Sequence, residues 1–151
     1  MLVTEGHSLD IGVAGQFSRG DVPVLNGSLR LDARSDVGGI ATSGARGRSF
    51  SLGIADSVTT LARNAATADV AATLIANAVN TDSPTVTRRP ARDLDPDSDL
   101  RDHLVTVSVG ALAPEDIDTA LARGLARARD YQRRGLIIDA ALMLAGRTRT
   151  C

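Results

Sequence analysis

Lysine and tryptophan are absent from this chain of 151 residues, and its aromatics are Phe17, Phe50 and Tyr131 alone. All 17 basic residues are arginine, and 16 of the 18 acidic residues are aspartate. Without lysine there is no Schiff base, no anchor for pyridoxal phosphate and no P-loop lysine. Three scattered aromatics cannot build a stacking platform for single-stranded nucleic acid. A formal net charge of -1 offers no basic field for a phosphate backbone. Both observations point away from nucleic acid as a partner. The one cysteine, Cys151, is the last residue. It has no internal disulfide partner, and a terminus that frays is a poor seat for a catalytic thiol. No segment combines a basic start with an apolar run as a secretory signal does, and the apolar stretch at 136–145 is too short and interrupted to span a bilayer. The expectation is a cytoplasmic protein with no membrane partner.

What is present is an ordinary globular balance, 43% hydrophobic and 23% charged. With so few aromatics the core must be packed by Ala, Val, Leu and Ile, which favours small-residue helices against a sheet. Residues 8–14 and 22–32 alternate at the period of strands, the second interrupted or turned at Asn26-Gly27, a hairpin signal. Residues 35–51, with Gly38, Gly39, Gly44 and Gly47, read as turn chemistry. A short strand at 57–62 leads into an alanine-rich helix at about 65–79, with either Val70, Leu74 and Ala78 or Ile75 and Val79 facing a core. Residues 80–100 read as loop throughout, and 103–109 as a strand. Pro114 opens a helix with Glu115, Asp116 and Asp118 in its electropositive first turn, and Gly135 closes it. Its stripe is Ile117, Leu121, Leu125, Ala128 and Tyr131. Residues 136–144 are a strand or a buried helical segment, which periodicity cannot separate. The order predicts one α/β (α+β) domain over 1–151, a two-layer sandwich with helices on a mostly antiparallel sheet.

Two clusters could carry chemistry. The first is Gly38-Gly-Ile-Ala-Thr-Ser-Gly44 followed by Ala45-Arg-Gly-Arg48, where backbone N–H groups, hydroxyls and guanidinia could gather around a phosphate or pyrophosphate. A tight hairpin with solvated arginines explains the same residues, and the glycine spacing is not a dinucleotide fingerprint. The second is Asp69 and Thr73, four apart and therefore on one helical face. A carboxylate and a hydroxyl so placed offer two hard oxygen ligands to magnesium. Equally, Asp69 could favour the helix dipole and Thr73 could bond back to the preceding turn. Asp56 and Asp82 have no partner legible in the sequence. His7 and His103 stand alone, and Ser43 has no histidine arrangement suggesting a triad. The alternating acids Asp93, Asp95, Asp97 and Asp99 lack the glycine and glutamate of a calcium loop and read as a solvated face. Arg123, Arg127, Arg129, Arg133 and Arg134 read as the wet side of the long helix.

Taken in order, Ile40-Ala-Thr-Ser-Gly44, Asp56-Ser-Val-Thr-Thr-Leu-Ala62 and Ala68-Asp-Val-Ala-Ala-Thr-Leu74 resemble the carboxyl-terminal half of the ApbE-like superfamily, whose best-known members are FAD:protein FMN transferases. More closely, 38–79 with Thr87-Arg-Arg-Pro-Ala-Arg-Asp-Leu94 and Pro96-Asp-Ser-Asp-Leu100 resembles uncharacterised protein family 0280, a branch of that superfamily. The resemblance implies that Thr42, Ser43 and Gly44 lie beside a flavin nucleotide, FAD or FMN, and that Asp69 and Thr73 bind magnesium. The implied reaction is attack of a substrate hydroxyl on FAD with release of AMP, the metal neutralising phosphate charge.

The chain departs from the transferases in two respects. Their histidine–isoleucine–aspartate–proline stretch is replaced by Arg48-Ser-Phe-Ser-Leu-Gly-Ile-Ala-Asp56, without histidine or proline. The amino-terminal half of the transferases has no counterpart, so a shortened product or a fragment is expected. Apolar surface that this half would cover would then favour a homo-oligomer. The leading expectation is a flavin-nucleotide and metal site with transferase-like chemistry. The alternative is a non-catalytic ligand-binding or interaction module that keeps the fold.

Overall fold

The computed structural model describes residues 7–16, 24–32, 35–47 and 49–151, with residues 13–16 and 24–26 described by backbone alone. Its elements, in chain order, are β1 (Ser8–Gln16), β2 (Val24–Asp32), β3 (Gly39–Ser43), β4 (Ser57–Ala62), α1 (Ala65–Ala78), β5 (Val86–Pro90), a 3₁₀ turn (Ala91–Asp93), β6 (Leu104–Val109), α2 (Pro114–Arg133), β7 (Asp139–Leu144) and β8 (Arg147–Thr150). A four-stranded sheet has the order β3-β4-β7-β8, while β1-β2 and β5-β6 form two-stranded ribbons. Every pairing among the described residues is antiparallel. The two helices pack on one face of the larger sheet, α1 against β3 and β4, α2 against β7 and β8. The result is the two-layer α+β sandwich that the sequence predicts.

The helix–sheet layer is built from small and branched residues. Ala68, Ala71, Ala72, Ile75 and Ala76 of α1 and Ile117, Ala120, Leu121, Ala128 and Tyr131 of α2 are buried. They meet Val58 of β4 and Ala140, Leu142 and Leu144 of β7. Of the two faces open to α1, the one with Ile75 and Val79 is buried, and Val70 and Leu74 remain exposed. Asn64 caps α1 by accepting the Thr67 N–H at 2.8 Å. Pro114 opens α2, and Gly135 follows its end at φ 68°.

Several local expectations are corrected. Asn26-Gly27 does not turn the chain: both lie inside β2, where Gly27 pairs with Val13 and Leu25 with Ala14. Asn26 is thus the extra residue of a bulge, and Gly27 lacks the positive φ a two-residue hairpin turn demands. The glycine-rich stretch 35–51 contains β3. Gly39 is required there by proximity rather than by turning, because a Cβ on it would lie 2.3 Å from the Asn64 carbonyl carbon. Residues 80–100 are not loop throughout, since β5 pairs with β6 and the 3₁₀ turn follows. The apolar element at 136–144 resolves as strand β7, which turns at Ala145-Gly146 into β8.

Candidate functional site

The sheet's two faces separate the predicted site residues. Thr60 of β4 faces α1, where its hydroxyl donates to the Ala68 carbonyl at 2.6 Å. Its neighbour Thr59 therefore points to the opposite, helix-free face. Thr42 pairs with Thr59 across β3 and β4, so it shares that outer face, and the two hydroxyls are 2.8 Å apart. Ser43 pairs with Val58 and so lies on the helix side. In a hydroxyl pair only one proton is spent on the mutual bond, so one of Thr42 and Thr59 keeps a donor for a ligand.

Beside this pair the outer face opens into a cleft of about 310 Å³. Leu61, Asp139, Ala141 and Met143 form its floor with Thr59, while Thr148 and Thr150 of β8 flank one side and 27–29 of β2 form the far wall. Ser57, one pair along β4 on the same face, carries a buried hydroxyl without a hydrogen-bond partner among the described residues. The cleft is mainly apolar, with hydroxyls at its edge and on its floor the Asp139 carboxylate, whose Oδ1 accepts the Ala140 N–H at 2.7 Å; this suits a flat, weakly polar ring. Its volume lies at the low end of the range for ligand pockets, roughly 300–1,000 Å³.

Gly44 continues β3 into a tight turn. A Cβ there would lie 2.5 Å from the Asp56 carbonyl oxygen, so only glycine fits. The Ala45 N–H donates to Ala55 O at 2.8 Å and the Gly47 N–H to Gly44 O at 3.1 Å. Those two donors are thus spent inside the protein. Asp56, nearly buried, ties this turn to the β7–β8 turn: its carboxylate accepts from Arg46 Nε and from the Ala145 N–H, both at 2.7 Å. Removing that carboxylate takes a charged acceptor from two donors, Arg46 and Ala145, both on exposed residues. Asp56→Ala should lower stability by about 2 kcal/mol, and Asp56→Asn by roughly half as much, read from urea unfolding midpoints. A change within about 0.5 kcal/mol for Asp56→Ala would show that the clamp contributes nothing.

Asp69 and Thr73 project from α1 as neighbours one turn apart, both exposed. Asp69 is the fifth helical residue, beyond the first turn, where no acid occurs. The Thr73 hydroxyl makes no bond back to the preceding turn. Neither structural role available to them is therefore filled. A carboxylate and a hydroxyl supply two of the roughly six positions of an octahedral magnesium ion, which ordinarily takes the rest from water and phosphate oxygens. On donor chemistry the pair fits that metal. No group of three or more His, Cys, Asp or Glu residues that could hold an ion occurs among the described residues.

Thr42 and the Asp69/Thr73 pair thus lie on opposite sides of the sheet. Because β3 is its edge strand, a ligand reaching both must pass around that edge. Sequence reasoning missed Thr59, Thr148 and Thr150, whose one legible signal is strand alternation, and missed the partners of Asp56, which come from turns distant in sequence. The acids at 93–99 are exposed, and Arg89 and Arg92 pair with Asp93 and Asp102. Burial pushes the Cys151 thiol up from its ordinary value, which argues against a nucleophile. No helix among the described residues is long and apolar enough to cross a membrane.

No curated protein and no solved structure matches the chain. A protein-family comparison does, over residues 1–150, to the family described as AbpE bacteria. Since that match spans nearly all of the chain, the protein belongs to the AbpE bacteria family.

Proposed function

We propose that the protein binds a flavin nucleotide, FAD or FMN, together with a divalent metal, and that its family is a branch of the ApbE-like superfamily, closest to uncharacterised protein family 0280. The observation carrying this reading is the outer-face cleft beside the Thr42–Thr59 hydroxyl pair. It is large enough for a ring system and too small for a dinucleotide, so the remainder of the ligand would run past Ser43 and Gly44 around the β3 edge. Asp69 and Thr73, with their oxygens uncommitted, would hold magnesium on the far side. Magnesium supplies neutralisation of phosphate charge when bound. The location we assign is the cytoplasm.

A non-catalytic binding module is the second reading, and one observation favours it. Asp56 is the carboxylate adjoining the Gly44 turn, and both of its oxygens are already engaged. Both bonds run to groups of the fold itself, so the carboxylate already has a structural role. Titration of the protein with FAD, with and without magnesium, following flavin fluorescence and released AMP, separates the readings. We expect saturable FAD binding strengthened by magnesium about ten-fold or more, with that gain lost in Asp69→Asn. AMP release would make it a transferase-type enzyme, and binding without release a module. FAD binding that ignores both magnesium and Asp69→Asn would remove the metal assignment. The absence of any FAD binding by the folded protein would remove the flavin reading.

A further inference from the structure

A second pocket of about 220 Å³ lies between the 44–47 turn and β6, lined by Arg46, Asp56, Thr106 and Ser108 among apolar residues. Arg46 is held by its Nε alone, and its two terminal nitrogens meet no acceptor among the described residues. A carboxylate behind Nε fixes the plane of the guanidinium, leaving its terminal N–H groups as a preset donor fork. Across the pocket, Ser108 on β6 is exposed, and its hydroxyl is bonded to no described residue. Thr106 differs: its hydroxyl proton goes to Gly53 O at 2.8 Å, and its backbone N–H goes to Ser51 O at 2.8 Å. These bonds lock β6, and Ser108 with it, against the 51–53 segment.

We propose that this pocket binds a phosphate group, with two oxygens on the Arg46 fork and a third on the Ser108 hydroxyl. A carboxylate could meet three donors only by doubling two of them on one oxygen, whereas a phosphate gives each donor an oxygen of its own, so the set favours the phosphoryl group. The charge of Asp56 is met by Arg46 and the Ala145 N–H, so the pocket holds no surplus positive charge. Recognition is by oriented hydrogen bonds, and its salt dependence is shallow. The site uses neither the outer-face cleft nor Asp69, so it stands or falls apart from the flavin reading.

The test is a titration of metal-free protein with inorganic phosphate, followed by phosphorus NMR and calorimetry, with acetate as the competing probe. We expect saturable phosphate binding, acetate weaker by about ten-fold, Arg46→Gln weaker by at least about ten-fold and Ser108→Ala by about three-fold. Asp69→Asn should bind phosphate as the parent does. Circular dichroism checks that Arg46→Gln is folded. If it is not, Arg46→Lys, which keeps the charge but loses the fork, carries the test with an expected weakening of about five-fold. The proposal is overturned if phosphate fails to saturate, if acetate binds as tightly, or if the folded Arg46 variants and Ser108→Ala bind phosphate undiminished. Retention of magnesium-dependent FAD binding by an Arg46 variant that has lost phosphate would separate this pocket from the flavin site. Loss of FAD binding in the parent, with phosphate binding intact, would leave this proposal standing alone.

Discussion

Gly53→Ala is expected to destabilise the protein by about 3 kcal/mol or more, lowering its melting temperature by roughly 6–12 °C. A Cβ at this position would lie 2.0 Å from the Ala76 carbonyl oxygen and 2.9 Å from Asn77 Cα, both of the α1 backbone. No rotamer relieves a contact between main chains, so the 51–54 segment must move. That segment is bonded on every side. Leu52 donates to Asn77 Oδ1 at 3.0 Å, its carbonyl accepts from Asn80 Nδ2 at 2.9 Å, and Ile54 donates to Val79 O at 2.9 Å. Moving it also lifts Ile54, 1% exposed, from the core. Gly27→Ala is the control, because nothing lies within 4 Å of its added methyl. Thermal melts of the two variants check the expectation. Equal melting temperatures would mean that α1 does not press on Gly53 as described.

The second large effect belongs to Leu142, at the centre of β7 and fully buried. Leu142→Ala should cost about 2–5 kcal/mol, since truncation removes apolar contact and leaves a cavity that a strand fixed on both edges cannot close. Against a total stability of roughly 5–15 kcal/mol this is a large fraction. The cavity would open beneath α2, where Gly124 makes room for the leucine: a Cβ there would lie 2.8 Å from Leu142 Cδ2 and 2.3 Å from Val79 Cγ2. The two positions are therefore coupled. Gly124→Ala should be destabilising in the parent and less so in Leu142→Ala, by about 1 kcal/mol in a double-mutant cycle of urea unfolding. Strict additivity would mean that the helix backs away instead of the side chains sharing one volume.

The parts of the fold legible in the sequence are those whose cause is local. Pro114 and Gly135 bracket α2 because each acts through its own backbone, and the alternation at 8–14 and 103–109 is a property of single strands. What escaped reading depends on distant neighbours. β3 looks like a turn because Gly38 before it and Gly39 at its start are also turn residues; their reason is the chain at 63–65 lying against them. β5 follows Pro84 and ends on Pro90, and it becomes a strand by pairing with β6. Asn26-Gly27 carries a local turn signal that the pairing of β1 with β2 overrides. The site follows the same division. Asp69 and Thr73 share a helical face by spacing alone, whereas the Thr42–Thr59 pair, the Asp56 clamp and the outer-face cleft exist only once β3, β4 and β7 lie side by side. The separation of Thr42 from Asp69 by the sheet could not be read from either motif.

The close seating of α1 also bears on how the protein could respond to a ligand. Main chain meets α1 at Gly39 of β3 and at Gly53 of the 51–54 segment, and alanines meet the sheet elsewhere, with few long side chains between them that could rearrange. Such a seam has few alternative packings, so sliding or tilting the helix would require main chains to pass through one another's van der Waals envelopes. Asp69 and Thr73 are in effect mounted on a rigid plate. A ligand gripping both sides must fit a fixed gauge around the β3 edge, and selection among ligands by length would follow from the frame itself, with no closing motion.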